Sequence, residues 1–146
     1  MTDHIKPKIP KLFWVAAMAF LIWNAFGVMN YLTSVTYGVS DYLAAGYTAE
    51  QAEFMTGAPT WYIAFFAIAI WMGVAGAILF ALKKSWAQKA YLISLVFIII
   101  NFAADAFLGS FKLLGTGYLI IMLVVLCLAI VEFWTARHYT MKGVLH

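Results

Sequence analysis

The chain has 146 residues, of which 66% are hydrophobic and 10% charged, with a net charge of +3 and a mean hydropathy of +0.93. That balance excludes an ordinary soluble domain, in which about 25% of residues are charged. Four spans of roughly 20 residues each would fill almost all of the length, leaving no room for a water-soluble catalytic domain.

The first apolar run covers 12–33 and contains no charged residue, which is long enough to cross a bilayer. Lys6, Lys8 and Lys11 precede it, as in a signal peptide, but the run is longer than a usual signal core and lacks an Ala-x-Ala-like site near its end, so a retained span is expected. Phe20, Asn24, Gly27, Tyr31 and Ser34 recur at the spacing of one helical face. Trp23 falls near the middle of the run, where lipid offers its indole N–H no partner, and is expected to face another helix.

The connection from about Gly38 to Ala58 is the largest in the chain, and its sequence predicts order. Thr48 and Gln51 have the spacing of a capping box, in which each residue's side chain satisfies the other's backbone N–H. Gly57 is placed to end the helix so begun, and Pro59 to stand at the first turn of the next. With Tyr42, Leu43, Phe54 and Met55 nearby, the segment reads as an amphipathic helix lying on the outer surface, either as a lid or as a plain connector.

The second run is 60–82. Ala69, Gly73 and Gly76 lie within about 60 degrees of one another around a helix, and Gly73 with Ala77 has the small-xxx-small spacing that lets helix backbones approach. The partner helix could belong to this chain or to a second copy. Trp71, like Trp23, sits mid-span and is expected to face protein.

The third run, 90–111, carries the most informative chemistry. Ser94, Asn101, Asp105 and Lys112 fall within roughly 40 degrees of one another at helical pitch. A carboxylate inside a bilayer costs about 2.5 to 3.5 kcal/mol even on the lenient insertion scale, so this polar stripe must face protein or water. Asn24 and Asn101 lie at similar depths, and Asn30 and Tyr31 approach the level of Asp105. The sequence therefore predicts a cluster of Asn24, Asn30, Tyr31, Asn101 and Asp105, open toward the outer face beneath the Thr48 helix. In one reading these groups fix helix register through interhelical hydrogen bonds. In the other, Asp105 exchanges a proton or the cluster binds a small polar solute.

The fourth run is 117–136. Glu132 is expected near its inner end, snorkelling or paired with Arg137. Cys127, the sole cysteine, excludes an intrachain disulfide and is expected to be buried packing. His4, His138 and His146 lie outside the runs, so no haem, metal or other cofactor is expected. No catalytic group is nominated, because no nucleophile, base and electrophile occur at matching depth.

Orientation follows from the basic residues, which resist translocation. Lys6, Lys8, Lys11, Lys83, Lys84, Lys89, Arg137 and Lys142, eight of the nine, fall on one side, and only Lys112 on the other. Both termini are expected in the cytoplasm. The basic excess, with a pI near 9.0, is thus explained by topology and anionic lipid, and no nucleic-acid partner is expected. Trp14, Trp86 and Trp134 mark the inner interface and Trp61, Tyr62 and Tyr118 the outer one.

The segments Glu50-Gln51-Ala52-Glu53-Phe54, Pro59-Thr60-Trp61, Ala69-Ile70-Trp71-Met72-Gly73 and Lys84-Ser85-Trp86-Ala87 resemble a group of small bacterial four-span proteins, mostly uncharacterised, some loosely labelled sugar transporter. The resemblance covers most of the chain. It implies a bacterial inner-membrane protein and places a sugar among the solutes to consider, with Trp23 and Trp71 as stacking platforms or as packing residues. DoxX-like small membrane proteins share the size and span number. The expectation is an all-α integral membrane bundle, up-down-up-down, with both termini inside. It would bind or move a small polar solute, as a homo-oligomer if it transports, or else serve as a subunit of a larger membrane complex.

Overall fold

The computed structural model describes residues 8–146, so Lys6 and His4 lie outside the described residues. The described residues are all-helical: α1 (Lys11–Thr36), α2 (Val39–Ala44), α3 (Ala49–Thr56), α4 (Thr60–Ala81), α5 (Trp86–Leu108) and α6 (Ser110–Met141). Of these, α1, α4, α5 and α6 are long and apolar enough to cross a membrane. Short connections force α4, α5 and α6 to alternate in direction, and α1 runs antiparallel to α4, Phe13 meeting Phe80 and Tyr31 meeting Phe66. The spans pack in chain order, α1 on α4, α4 on α5 and α5 on α6.

The helix ends show why the chain folds back where it does. Gly109 adopts the left-handed conformation (φ 82°) and ends α5, its N–H bonding the Asp105 carbonyl, which only glycine does without strain. Lys112 therefore does not continue the polar stripe of α5; it is an exposed residue in the first turns of α6. A second break at Gly115 (φ 84°, ψ −179°) divides α6 into a short piece, 110–114, and the span proper, 116–141. That span runs five residues beyond the sequence expectation of 136, and the extension alters the depth of everything on it.

The outer loop is ordered. Thr48 caps α3, its hydroxyl accepting from the Gln51 N–H at 3.2 Å while the Gln51 side chain accepts from the Thr48 N–H at 3.1 Å. Gly57 terminates it. The short α2, not anticipated, is started the same way, with the Asp41 carboxylate accepting from the Gly38 N–H at 2.8 Å. The Gln51 side-chain amide also donates to the Leu113 carbonyl at 3.1 Å, anchoring the loop to the start of α6 on the far side of the bundle. Tyr42 and Ala52 are buried beneath it. Burial, followed by the neighbouring Tyr47 and Tyr37, pushes the Tyr42 phenol above its ordinary value.

The two ends of the bundle are built differently. At the end carrying Lys83, Lys84 and Lys142, aromatic rings fill the centre. Phe13 stacks on Phe80 with centroids 4.7 Å apart and meets Tyr139 edge-on at 5.1 Å. Phe20 and Tyr91 extend the cluster toward mid-span. Each such pair contributes about 0.5 to 1.5 kcal/mol beyond its area. The C-terminal residues close this end, His146 and Lys83 sharing a backbone bond of 2.9 Å. Trp86 and Trp134 stand outside it, half or more exposed, beneath the Lys89 ammonium (4.2 Å) and the Arg137 guanidinium (5.5 Å).

The small face of α4 is used within the chain. Ala69, Gly73, Gly76 and Ala77 are all buried. A methyl group at Gly76 would lie 2.7 to 3.0 Å from three ring atoms of Tyr91, closer than carbon atoms pack. Two expectations fail on the lipid side. Trp71 is 49% exposed rather than turned into the bundle, and Cys127 is exposed rather than buried. A helix apolar on every face gives no signal of which side meets lipid.

Gly76→Ala is expected to lower stability in mild detergent by about 1 to 3 kcal/mol through overpacking. Gly117→Ala, where an added carbon meets nothing within 4 Å, should leave the unfolding midpoint unchanged. Reversible unfolding titrations of both variants check this.

Candidate functional site

At the end covered by the α2–α3 loop the spans enclose a cavity of about 880 Å³. Its floor is near mid-span, at Asn24, Ser94 and Glu132; its roof is the α2–α3 loop, through Tyr42, Tyr47 and Phe54. Most of the wall is apolar, contributed by residues such as Ile63, Phe66, Ile98, Met122 and Val125. The size lies within the usual range for small-molecule pockets, roughly 300 to 1,000 Å³. Phe26 of α1 and Ile121 of α6 both line it and are both more than half exposed, so the space reaches the lipid side between the outer parts of those helices.

Glu132 belongs to the floor. It is only 3% exposed and accepts a 2.6 Å hydrogen bond at Oε1 from the Asn24 side-chain amide. This corrects the expectation of a snorkelling Glu132 paired with Arg137: α6 continues to Met141, which lowers Arg137 into the interface and leaves Glu132 more than two turns inside. The second Asn24 N–H is held by the Phe20 carbonyl at 2.9 Å. Asn24 can reach this position because Gly73 presents no side chain. A carbon added there would collide with Asn24 Oδ1 and lie 3.3 Å from Ser94 Oγ. Ser94 in turn donates to the Ala69 carbonyl at 2.7 Å, joining α5 to α4.

Asp105 stands nearer the roof and is 1% exposed. The Tyr62 hydroxyl donates to its Oδ1 at 3.0 Å and the Tyr118 hydroxyl to its Oδ2 at 3.1 Å. Three spans thus meet at one carboxylate. Tyr62 and Tyr118 were expected as interfacial belt residues; their depth was right, but their rings turn inward, because a carboxylate at that level needs donors that lipid cannot supply. Ser110, buried at the start of α6, lines the same region.

Asn101 lies between the two carboxylates and is 3% exposed. Its side-chain N–H donates to the Phe97 carbonyl at 3.1 Å, while its Oδ1 is buried without a partner. Because a carbonyl can only accept, that bond fixes which way the amide points. Asn101 borders the cavity, while its unpartnered oxygen is enclosed by protein.

The remaining nominated residues divide. Trp23 and Asn30 line the cavity, Asn30 near the exposed side with its amide donating to the Phe26 carbonyl at 3.0 Å. Tyr31 is not beside Asp105. Its ring packs edge-on against Phe66 at 5.9 Å and Trp71 at 6.2 Å, on the α1–α4 seam. Asn24 pairs with Glu132 of α6 rather than with Asn101. Glu132, Tyr62 and Tyr118 were missed as site residues. Tyr62 and Asp105 share a depth, and Tyr118 lies just across the Gly109 turn from Asp105, so depth matching could have found that pair.

No family model, curated protein or solved structure matches the chain. The site's chemistry must therefore be argued from its own residues.

Tyr62→Phe and Tyr118→Phe should each destabilise the protein by about 0.6 kcal/mol, and by no more than about 1.7, the range for interhelical hydrogen bonds in membranes. In an Asp105→Ala background the same changes should have no effect. A double-mutant cycle read by unfolding in detergent checks both.

Proposed function

We propose that this is a multi-pass inner-membrane protein of a bacterium that binds a small amphipathic molecule within the bilayer and hands it across or along the membrane. The supporting observation is the cavity itself: about 880 Å³ of mainly apolar wall, with buried polar groups at the floor and near the roof. Such a wall suits a molecule with an apolar body and one or two polar groups. A sugar, the solute that the resemblance to small four-span proteins brings forward, carries hydroxyls on every side and would leave most of them unanswered here, at a cost of about 1 to 3 kcal/mol each. Trp23 could stack a sugar ring; Trp71, facing outward, could not.

The orientation we infer places the termini and the aromatic plug in the cytoplasm and the α2–α3 loop outside. The support is electrostatic. Lys83, Lys84, Lys89, Arg137 and Lys142 gather at the plugged end, and the positive-inside rule assigns such an end to the cytoplasm. The cavity then opens toward the outer leaflet. Binding is favoured over turnover because the groups around Asp105 are held in hydrogen bonds to one another.

An accessory role in a larger membrane complex, or a homo-oligomer, is the second reading, and α1 favours it. That helix buries only Phe13, Ala17 and Phe20, while Val15, Met18, Ile22, Phe26 and Met29 form an exposed stripe suited to a partner helix as well as to lipid.

Thermal unfolding across a panel of amphiphiles and sugars separates the readings. A ligand at 100 times its dissociation constant should stabilise the protein by about 2.7 kcal/mol. Val125→Trp, which projects an indole into the cavity, should reduce that shift while leaving the ligand-free protein folded. Stabilisation by sugars alone, with saturable sugar uptake into reconstituted vesicles, would favour the polar-solute reading. No shift with any compound, together with a stable hetero-oligomer, would favour the accessory one.

A further inference from the structure

The hydrogen-bonding inventory of the cavity is one-sided. At the floor, both Asn24 N–H groups and the Ser94 hydroxyl point at protein acceptors, and nearer the roof the Tyr62 and Tyr118 hydroxyls point at Asp105. The acceptors are not fully used. Glu132 receives a single bond, at Oε1, and Asn101 Oδ1 receives none although it is buried. The charges are one-sided too. Glu53, Asp105 and Glu132 line the cavity, and among the described residues no lysine, arginine or histidine does. Aromatic rings, among them Trp23, Phe66 and Tyr42, make up much of the remaining wall.

A molecule seated there must bring donors and tolerate negative charge. We propose that the cavity's ligand is an organic cation bearing N–H groups on an apolar body, its ammonium donating to the free oxygen of Glu132. The aromatic wall favours a cation through the ring faces, and a buried carboxylate is best satisfied by a charge-assisted bond. Access from the lipid side, between Phe26 and Ile121, fits a molecule that partitions into the membrane before it binds. This inference rests on the cavity being a binding site.

The test uses four probes with one ten-carbon chain: decylammonium, decyltrimethylammonium, decanol and decanoate. Equilibrium dialysis against the full chain in nanodiscs gives binding, and the amount lost in Val125→Trp is the cavity-specific part. Decylammonium should bind about tenfold or more tightly than decanol or decyltrimethylammonium, as expected for a charge-assisted hydrogen bond. Glu132→Gln keeps an acceptor for Asn24 but turns an N–H toward the ligand; it should erase the decylammonium preference over decanol. A fold check by thermal unfolding accompanies each variant, and the ratio of decylammonium to decanol affinity is read within one protein, so partial loss of folded material does not alter it. Equal cavity-specific binding of ammonium and alcohol, or tighter binding of decanoate, would overturn the cation proposal while sparing the cavity. Ammonium and trimethylammonium binding alike would overturn the role of the N–H donors. If no probe shows a cavity-specific part, the binding reading falls, and this inference with it.

Discussion

A polar group inside a bilayer has no water to turn to, so it must be answered by protein. That constraint organises the whole chain. Asp105, Glu132, Asn24, Asn101 and Ser94 sit on three different spans, and lipid would leave each unsatisfied. The helices rotate until these residues share one interior, and the small residues of α4 make the approach close enough. At Gly73, the side chains of Asn24 from α1 and Ser94 from α5 converge on the same missing carbon. The bundle is therefore closed by its hydrophilic groups as much as by packing, and the order α1, α4, α5, α6 follows from which helix carries the small face.

The same constraint explains why one end is solid and the other hollow. At the plugged end the inward residues are large aromatics, which fill the space between spans without any hydrogen-bonding demand beyond the Tyr91 hydroxyl, which stays unpartnered. Beyond mid-span the inward residues become shorter or polar, and the outer halves of α1 and α6 stand apart with Phe26 and Ile121 exposed. What covers the gap is the ordered α2–α3 loop, tied by Gln51 to the start of α6. The hollow is thus a consequence of side-chain size and of the one long connection, and it places a mid-membrane carboxylate at the bottom of a space large enough for a small molecule.

Depth along each helix was legible in the sequence, and rotation about each helix was not. Uniformly apolar runs marked four spans, and capping residues marked α3, because length and local hydrogen bonding are properties of consecutive residues. The inward turn of Asp105 and Asn101 was legible for the same reason that it is obligatory. Trp71 and Cys127 were misassigned because a helix apolar on every face carries no sign of which side meets lipid, and Tyr62 and Tyr118 because an aromatic ring at a span end suits the interface as well as the interior. Glu132 was misplaced by a boundary: the fourth span was ended at 136, and five further residues move its carboxylate from the interface into the bundle. Lys112 was joined to the polar stripe because helical spacing was carried through Gly109, whose left-handed backbone ends the helix.

The central claim is that the buried polar residues face one cavity within the bundle rather than lipid. Substituted-cysteine accessibility measures this directly in intact membranes, in a Cys127→Ser background. A small water-soluble thiol reagent applied from the outer side should modify Met122→Cys and Ile98→Cys, which line the cavity, far faster than Ile99→Cys, which faces outward on α5. Equal and negligible modification at all three positions, or faster reaction at Ile99→Cys, would contradict the account.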